Sequence, residues 1–206
     1  MAASLWNPAF RLALASKSAT RRLLLASAGL PFETAEAPVD ERTVEAEALA
    51  DGLPKRDLAR ALAQAKALAA SQRLPGAYCL GADQILLLGD EILHKSPDLD
   101  DLRQKIAALA GRTHRLISAY AIARDGELLQ AEDDVAELTM RPLTSEAIDV
   151  YVEAAGEDVL ASVGGYQLEK LGVHLFERID GDHTTVLGLP MRKLLAWLRA
   201  QGMVRV

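Results

Sequence analysis

The segment YCLGADQILLLGDEILHKSPD, Tyr78–Asp98, constrains the fold most. Its apolar flanks and its Gly89-Asp90 centre predict a β-hairpin, because glycine takes positive φ at little steric cost. Just upstream, KRDLARALAQAKALAASQRL has alanine, leucine and charge at helical period, and Pro75-Gly76 ends it. A helix feeding a hairpin in this way points to a chain that mixes helices with a sheet. Two residues of the hairpin need a reason. Asp83 sits inside an apolar run, and Lys95 lies just beyond the second strand.

The rest of the chain extends that pattern. FRLALAS, a polar Ser-Lys-Ser turn and SATRRLLLASAGL predict strand, turn and helix, with Gly29 as the stop. PFETAEAP reads as a short extended piece and TVEAEALADGL as a helix. DLDDLRQKIAALAG is a helix with an acidic first turn, which suits the macrodipole. A long hairpin turns at Asp125-Gly126, and Ser145 is the expected cap of TSEAIDVYVEAAG. The stretch Gly164–Pro190 reads as loop, strand and turn, and MRKLLAWLRAQG closes the chain as a helix. Early alternation followed by hairpins gives an α/β fold, a mixed twisted sheet with flanking helices.

The 206 residues suit one domain, or one domain with a sub-lobe, and half of them are apolar, enough for a core without staples. The single cysteine, Cys79, excludes a disulfide framework and fits a reducing cytoplasm. The N-terminus lacks the order of a signal peptide, and no apolar run is long enough for a membrane span. A net charge of −6 and 4% aromatic residues argue against nucleic acid as the partner. Neither excludes a small anionic ligand in a locally positive pocket.

Five places carry candidate chemistry, each beside an ordinary alternative. Ser16, Ser18 and Arg21 lie in a strand-to-helix turn, a setting that binds phosphate through backbone N–H groups; taken alone, a plain N-cap with a solvated arginine pair is the ordinary reading and the one to prefer. Asp83 is costly in a strand unless paired or working, the ordinary alternative being a strand-end carboxylate that reaches solvent or caps a turn. Glu33 reads as exposed. Lys66 lies on an alanine-rich helix face, where a solvated lysine is the default, and Lys95 suits an edge gatekeeper as well as a binding cation. Arg21 and Lys95 are both expected to be reachable by solvent. GGYQLEKLG, Gly164–Gly172, is either backbone held close to something or a flexible loop. The scattered histidines have no zinc spacing, and there is no P-loop and no Gly-x-Ser-x-Gly elbow.

Taken in order, these pieces resemble the Maf family of nucleoside triphosphate pyrophosphatases from about Leu12 to Leu198. The resemblance is carried by LALASKSATRR, Gly29-Leu30-Pro31-Phe32-Glu33, Val39-Asp40-Glu41, ALAQAKA with Lys66, Gly81-Ala82-Asp83, Lys95, Gly111-Arg112-Thr113-His114 and Leu187-Gly188-Leu189-Pro190. The chain departs from the family pattern at Ala19, where proline is usual, at Thr20 in the slot of a first arginine, and at His94 and Ser96, which flank Lys95 in place of glycine and proline.

The resemblance implies a single domain over residues 1–206 with a Maf/ITPase-like fold, two lobes around a central cleft, and a homodimer in the cytoplasm. It implies a hydrolase acting on acid anhydrides, a house-cleaning enzyme that converts a nucleoside triphosphate to the monophosphate and pyrophosphate with Mg²⁺ or Mn²⁺. Asp83 and Glu33 would hold the metal and act in catalysis with Lys95. Ser16, Ser18, Arg21 and Lys66 would hold the phosphates. Gln84 after Asp83, and Glu169 in the late loop, resemble the branch acting on 7-methyl-GTP rather than the dTTP/UTP branch. A carboxylate at Glu169 suits the guanine N1–H and 2-amino donors and not the uracil oxygens. A nucleotide-sensing regulator of septum formation, without catalysis, is the competing reading.

Overall fold

A computed structural model describes residues 5–206. Seven strands form one sheet in the order β2-β1-β3-β5-β6-β7, with β4 paired to β3 off this path. The strands are β1 Leu12–Ala15, β2 Glu33–Thr34, β3 Tyr78–Leu88, β4 Glu91–Leu93, β5 Thr113–Arg124, β6 Glu127–Met140 and β7 Phe176–Asp180. β1 runs parallel to β2 and β3, while β3–β4 and β6–β7 are antiparallel, so the sheet is mixed as expected. Both predicted hairpin turns are present. Asp125, at φ 51, and Gly126, at φ 82, supply the positive-φ pair that a two-residue turn between β5 and β6 requires.

The helices are α1 Ala19–Ser27, α2 Glu41–Ala50, α3 Leu58–Ser71, α4 Leu99–Leu109, α5 Ser145–Ala155, α6 His183–Val186 and α7 Met191–Ala200. Two details differ from the sequence reading. The cap of α5 is Thr144, whose hydroxyl accepts from Ala147 N at 3.2 Å, with Ser145 already the first helical residue. α6 falls in the stretch read as loop, strand and turn; one helical turn is too short to show a 3.6-residue period. Among the described residues no helix is long and apolar enough to cross a membrane.

The chain groups into two compact units. The first takes residues up to Asp83, Ser118–Asp134 and Gly188–Val206; the second takes Gln84–Ile117 and Val135–Leu187. β3, β5 and β6 each contribute residues to both. The first unit buries Leu12, Leu14, Leu80, Tyr120, Ile122 and Leu194 in one cluster, and small residues, Ala13, Ala15, Ala70, Ala77 and Cys79, in another. The small side chains let α3 lie close on the sheet. At Gly81 the approach is so tight that a Cβ would sit 2.2 Å from Ala63 O and 2.6 Å from Ala67 N. The second unit has its own core, with Leu86, Leu102, Ile106, Leu116, Leu138 and Val152, and there α4 packs on α5.

Candidate active site

The first unit assembles its polar residues around the end of β1. Ser18 caps α1, its hydroxyl accepting from Arg21 N at 3.3 Å. Ser16 Oγ accepts from Ser18 N at 3.3 Å and from Arg21 Nη1 at 3.1 Å. The two hydroxyls therefore build the turn, and the first-turn N–H groups of α1 lie beside it without intrahelical acceptors. Ala19 is the first helical position, where proline and alanine both fit, so the departure from the family pattern there is mild.

Arg21 is less open to solvent than expected from sequence. It is half-buried, and it donates from Nη1 to Ala82 O at 2.8 Å and from Nε to Gly188 O at 2.8 Å. Burial pulls its pKa down, while the carboxylates of Asp83 and Glu41 hold it up. The guanidinium thus ties α1 to β3 and to the Gly188 segment, next to Asp83.

Asp83 is 8% exposed, and its unusual place in a strand is explained by Lys66. Lys66 Nζ donates to Asp83 Oδ2, and to Glu41 Oε1 at 2.6 Å. The Lys66 and Asp83 side chains are 11% and 12% exposed and that of Glu41 is 57%, so solvent reaches the trio from the Glu41 side. Lys66 is therefore not the solvated lysine of the default reading. It continues the i, i+4 row of Leu58 and Leu62, which faces the sheet. That row was visible in the sequence and is the signal that marks this lysine. In the sequence Glu41 stands out only as part of Val39-Asp40-Glu41. It opens α2, whose cap Asp40 accepts from Arg42 N and Thr43 N, and α2 packs on α3.

Glu33 requires a correction. Through the strand register Glu33 lies opposite Ala13 and Ala13 opposite Cys79, four residues before Asp83. At about 3.3 Å per residue and 4.8 Å per strand, the two α-carbons stand about 16 Å apart. Two carboxylates so placed do not ligate one ion. Glu33 instead pairs with Arg11 Nη2 at 2.8 Å on an exposed surface. Among the described residues no three His, Cys, Asp or Glu groups meet as a ready-made metal site. Asp83 and Glu41 nonetheless fit a hard divalent cation, since both reach one ammonium, and Mg²⁺ commonly takes one or two carboxylates and completes its shell with phosphate oxygens and water.

The remaining candidates belong to the second unit. Gln84 Nε2 donates to Thr185 O at 3.1 Å and Val186 O at 3.0 Å, fixing the start of its stretch of β3 to α6. Lys95 is exposed in the turn between β4 and α4, as expected, and makes no hydrogen bond or ion pair among the described residues. That turn is held from below by Lys105, a buried lysine the sequence reading passed over. Its Nζ donates to His94 O, and burial lowers its pKa. Glu169 is exposed before a 3₁₀ turn, Leu171–Leu175, and its carboxylate has no partner among the described residues.

Comparison with known proteins follows the same lines. The family model described as Maf-like protein matches residues 11–201. The chain is 47% identical over 191 residues to the 7-methyl-GTP pyrophosphatase of Brucella abortus biovar 1 (strain 9-941), covering 93% of this chain and 96% of that protein. It is 47% identical over 202 residues to the nucleoside triphosphate pyrophosphatase of Rhodopseudomonas palustris (strain BisB18), covering 98% of each. A 7-methyl-GTP pyrophosphatase of Mesorhizobium japonicum is 45% identical over 194 residues, 94% of this chain and 98% of that protein. With a family model matched over nearly its whole length, and the polar residues of the Leu-Ala-Ser turn, Lys66 and Asp83 gathered on one face, the chain belongs to the Maf-like protein family.

Proposed function

We propose that this protein hydrolyses nucleoside triphosphates to the monophosphate and pyrophosphate, with 7-methyl-GTP as its preferred nucleotide. The observation that carries the reading is the Asp83–Lys66–Glu41 trio beside the α1 turn and Arg21. Two carboxylates and two cations on one face balance in charge, yet they leave hard oxygens and N–H donors together where a polyphosphate needs both. A divalent cation held by Asp83 and Glu41 would supply charge neutralisation to the triphosphate. Asp83 orients the attacking water and takes its proton at the α-phosphorus. Lys66 and Arg21 stabilise the charge on the phosphoryl oxygens, with the α1 turn adding N–H groups. Lys95, exposed and without a partner among the described residues, is the cation for the departing pyrophosphate.

For the base, Gln84 has committed its amide N–H groups to Thr185 and Val186, which leaves Glu169 as the group with unclaimed acceptors. A carboxylate matches the N1–H and 2-amino donors of guanine and favours a ring made cationic by methylation. Relatives named for 7-methyl-GTP and relatives named for nucleoside triphosphates in general stand at equal identity, so the base assignment rests on Glu169. The homodimer and the cytoplasmic location implied by the family resemblance belong to the same reading, and sedimentation tests the first.

The test is pyrophosphate release from 7-methyl-GTP, GTP, dTTP and UTP under one metal and one pH, for wild type and Glu169→Gln. The expected result is a wild-type preference for 7-methyl-GTP in kcat/KM that Glu169→Gln erodes by roughly ten- to a hundredfold, the loss that follows a mismatched acceptor. A wild-type preference for dTTP or UTP would move the enzyme to the pyrimidine branch. No release from any nucleotide would favour a nucleotide-sensing role.

A further inference from the structure

The loop that carries Glu169 fits the first of the two readings of Gly164–Gly172, backbone held close to its neighbours rather than a flexible connection. Tyr166 is 5% exposed, and its hydroxyl lies 2.6 Å from Nε2 of His114, itself 1% exposed. Phe176 meets the Tyr166 ring edge-on at 4.8 Å and 75°, which fixes the ring plane. Ser162 Oγ donates to Tyr166 O at 2.6 Å and accepts from Tyr166 N at 3.1 Å. Tyr151 Oη donates to Gly165 O at 3.0 Å. Gly165 sits so close to α4 that a Cβ there would lie 2.0 Å from Leu102 Cδ1.

Beyond Tyr166 the chain closes on itself. Lys170 N and Gly172 N both donate to Gln167 O, at 3.0 and 3.1 Å, so Glu169 rides on a tight turn whose base is pinned through Tyr166. The Glu169 side chain has no partner of its own among the described residues, so the backbone of this turn sets where the side chain leaves the chain and hence the volume its carboxylate can reach.

His114 is an expensive way to fill a core. Among the described residues its Nδ1 is buried without a partner, a defect that a phenylalanine or leucine would avoid. Burial keeps the ring neutral, with a pKa lowered to about 4. What an apolar residue lacks is the hydrogen bond to Tyr166.

We propose that His114 and Tyr166 are positioning residues that hold the Glu169 turn in its binding shape before nucleotide arrives, so that base selection depends on a hydrogen bond behind the loop as well as on Glu169, which rests on the base-reading role proposed above. A turn held in advance loses less freedom on binding, and that advantage appears in KM and in the choice between bases.

Tyr166→Phe removes one oxygen and keeps the ring. Amide exchange of residues 167–172 should quicken by about tenfold, the behaviour of a locally opened segment, while the rest of the second unit keeps its protection. The kcat/KM ratio of 7-methyl-GTP over UTP should fall by about fivefold, mainly through KM for the guanine nucleotide. His114→Leu should act likewise, and the double variant should add little, as for partners in one bond. His114→Gln, which keeps a polar group at the same depth, should recover part of the ratio and serves as the second variant if Tyr166→Phe does not fold. Wild-type exchange and a wild-type ratio in Tyr166→Phe overturn the proposal, as does faster exchange with an unchanged ratio, which would make the bond purely structural. Glu169→Gln run in parallel separates the two levels. An eroded ratio there with none in Tyr166→Phe removes only the positioning role, whereas an unchanged ratio in Glu169→Gln removes the base-reading role and the positioning role together.

Discussion

Replacing Gly81 with alanine adds one methyl group where β3 meets α3. That Cβ would lie 2.2 Å from Ala63 O, 2.6 Å from Ala67 N and 3.1 Å from Ala67 Cα. Non-bonded heavy atoms sit comfortably at about 3.5–4.0 Å, so strand and helix must part by at least about 1 Å. No rotamer relieves the clash, because alanine has none and the obstructing atoms are backbone. Overpacking of this kind costs about 1–3 kcal/mol. For a chain of this size, about 2 kcal/mol lowers the melting temperature by roughly 4–8 °C. The functional effect should be larger. Asp83 stands two residues after Gly81, and Lys66 lies between Ala63 and Ala67 on the displaced helix. The movement that clears the methyl group therefore stretches the Lys66–Asp83 pair, and a 1 Å misplacement of reacting groups costs about a hundredfold. Thermal melting and steady-state pyrophosphate release on the purified variant check both numbers. A variant that melts and turns over like wild type would refute the close approach. One that melts early at full activity would refute the link from that approach to the site.

Three further outcomes follow from the geometry. Asp83→Asn keeps the shape, leaves Lys66 its bond to Glu41, and should lower pyrophosphate release by at least about a hundredfold with the fold intact; near wild-type turnover would remove Asp83 from the mechanism. Arg21→Ala cuts the guanidinium bonds to Ala82 O and Gly188 O, each worth about 1.5–3 kcal/mol for a charged donor, so melting temperature and activity should fall together, and activity lost at an unchanged melting temperature would make Arg21 a ligand group only. His114 is held neutral, its pKa lowered from 6.5 to about 4, so the unfolded chain takes up its proton first as pH falls. Stability should therefore be complete above about pH 6.5 and decline between 6.5 and 4, by on the order of 3 kcal/mol at 1.4 kcal/mol per tenfold in proton affinity. Urea unfolding of wild type and His114→Leu at pH 7, 5.5 and 4.5 measures the difference in slope, and identical slopes would show that the ring is not buried neutral.

The elements readable in advance are those whose cause is local. Gly89-Asp90 and Asp125-Gly126 specify tight turns through the φ values their residues accept, and the apolar rows of α3 and α7 specify helices through a period of 3.6. The identity of Asp83 as the residue needing an explanation was also plain, because a carboxylate in an apolar strand is costly whatever surrounds it. α6 and the Thr144 cap escaped because one turn of helix and two adjacent hydroxyls carry too little pattern to decide a boundary. The partners of the charged residues were settled elsewhere. Glu33 and Glu41 are both glutamates in short polar stretches, and nothing local separates them. The parallel register of β2 on β1 sets Glu33 four residues short of Asp83 and two strands away, whereas the packing of α2 on α3 delivers Glu41 to Lys66. Arg21 likewise reads as a surface cation until α1 is laid against β3 and the Gly188 segment. Steric and periodic rules act across a few residues and are written in the chain; an ion pair acts across a few ångströms, and which residues come within them is decided only when sheet register and helix rotation are set.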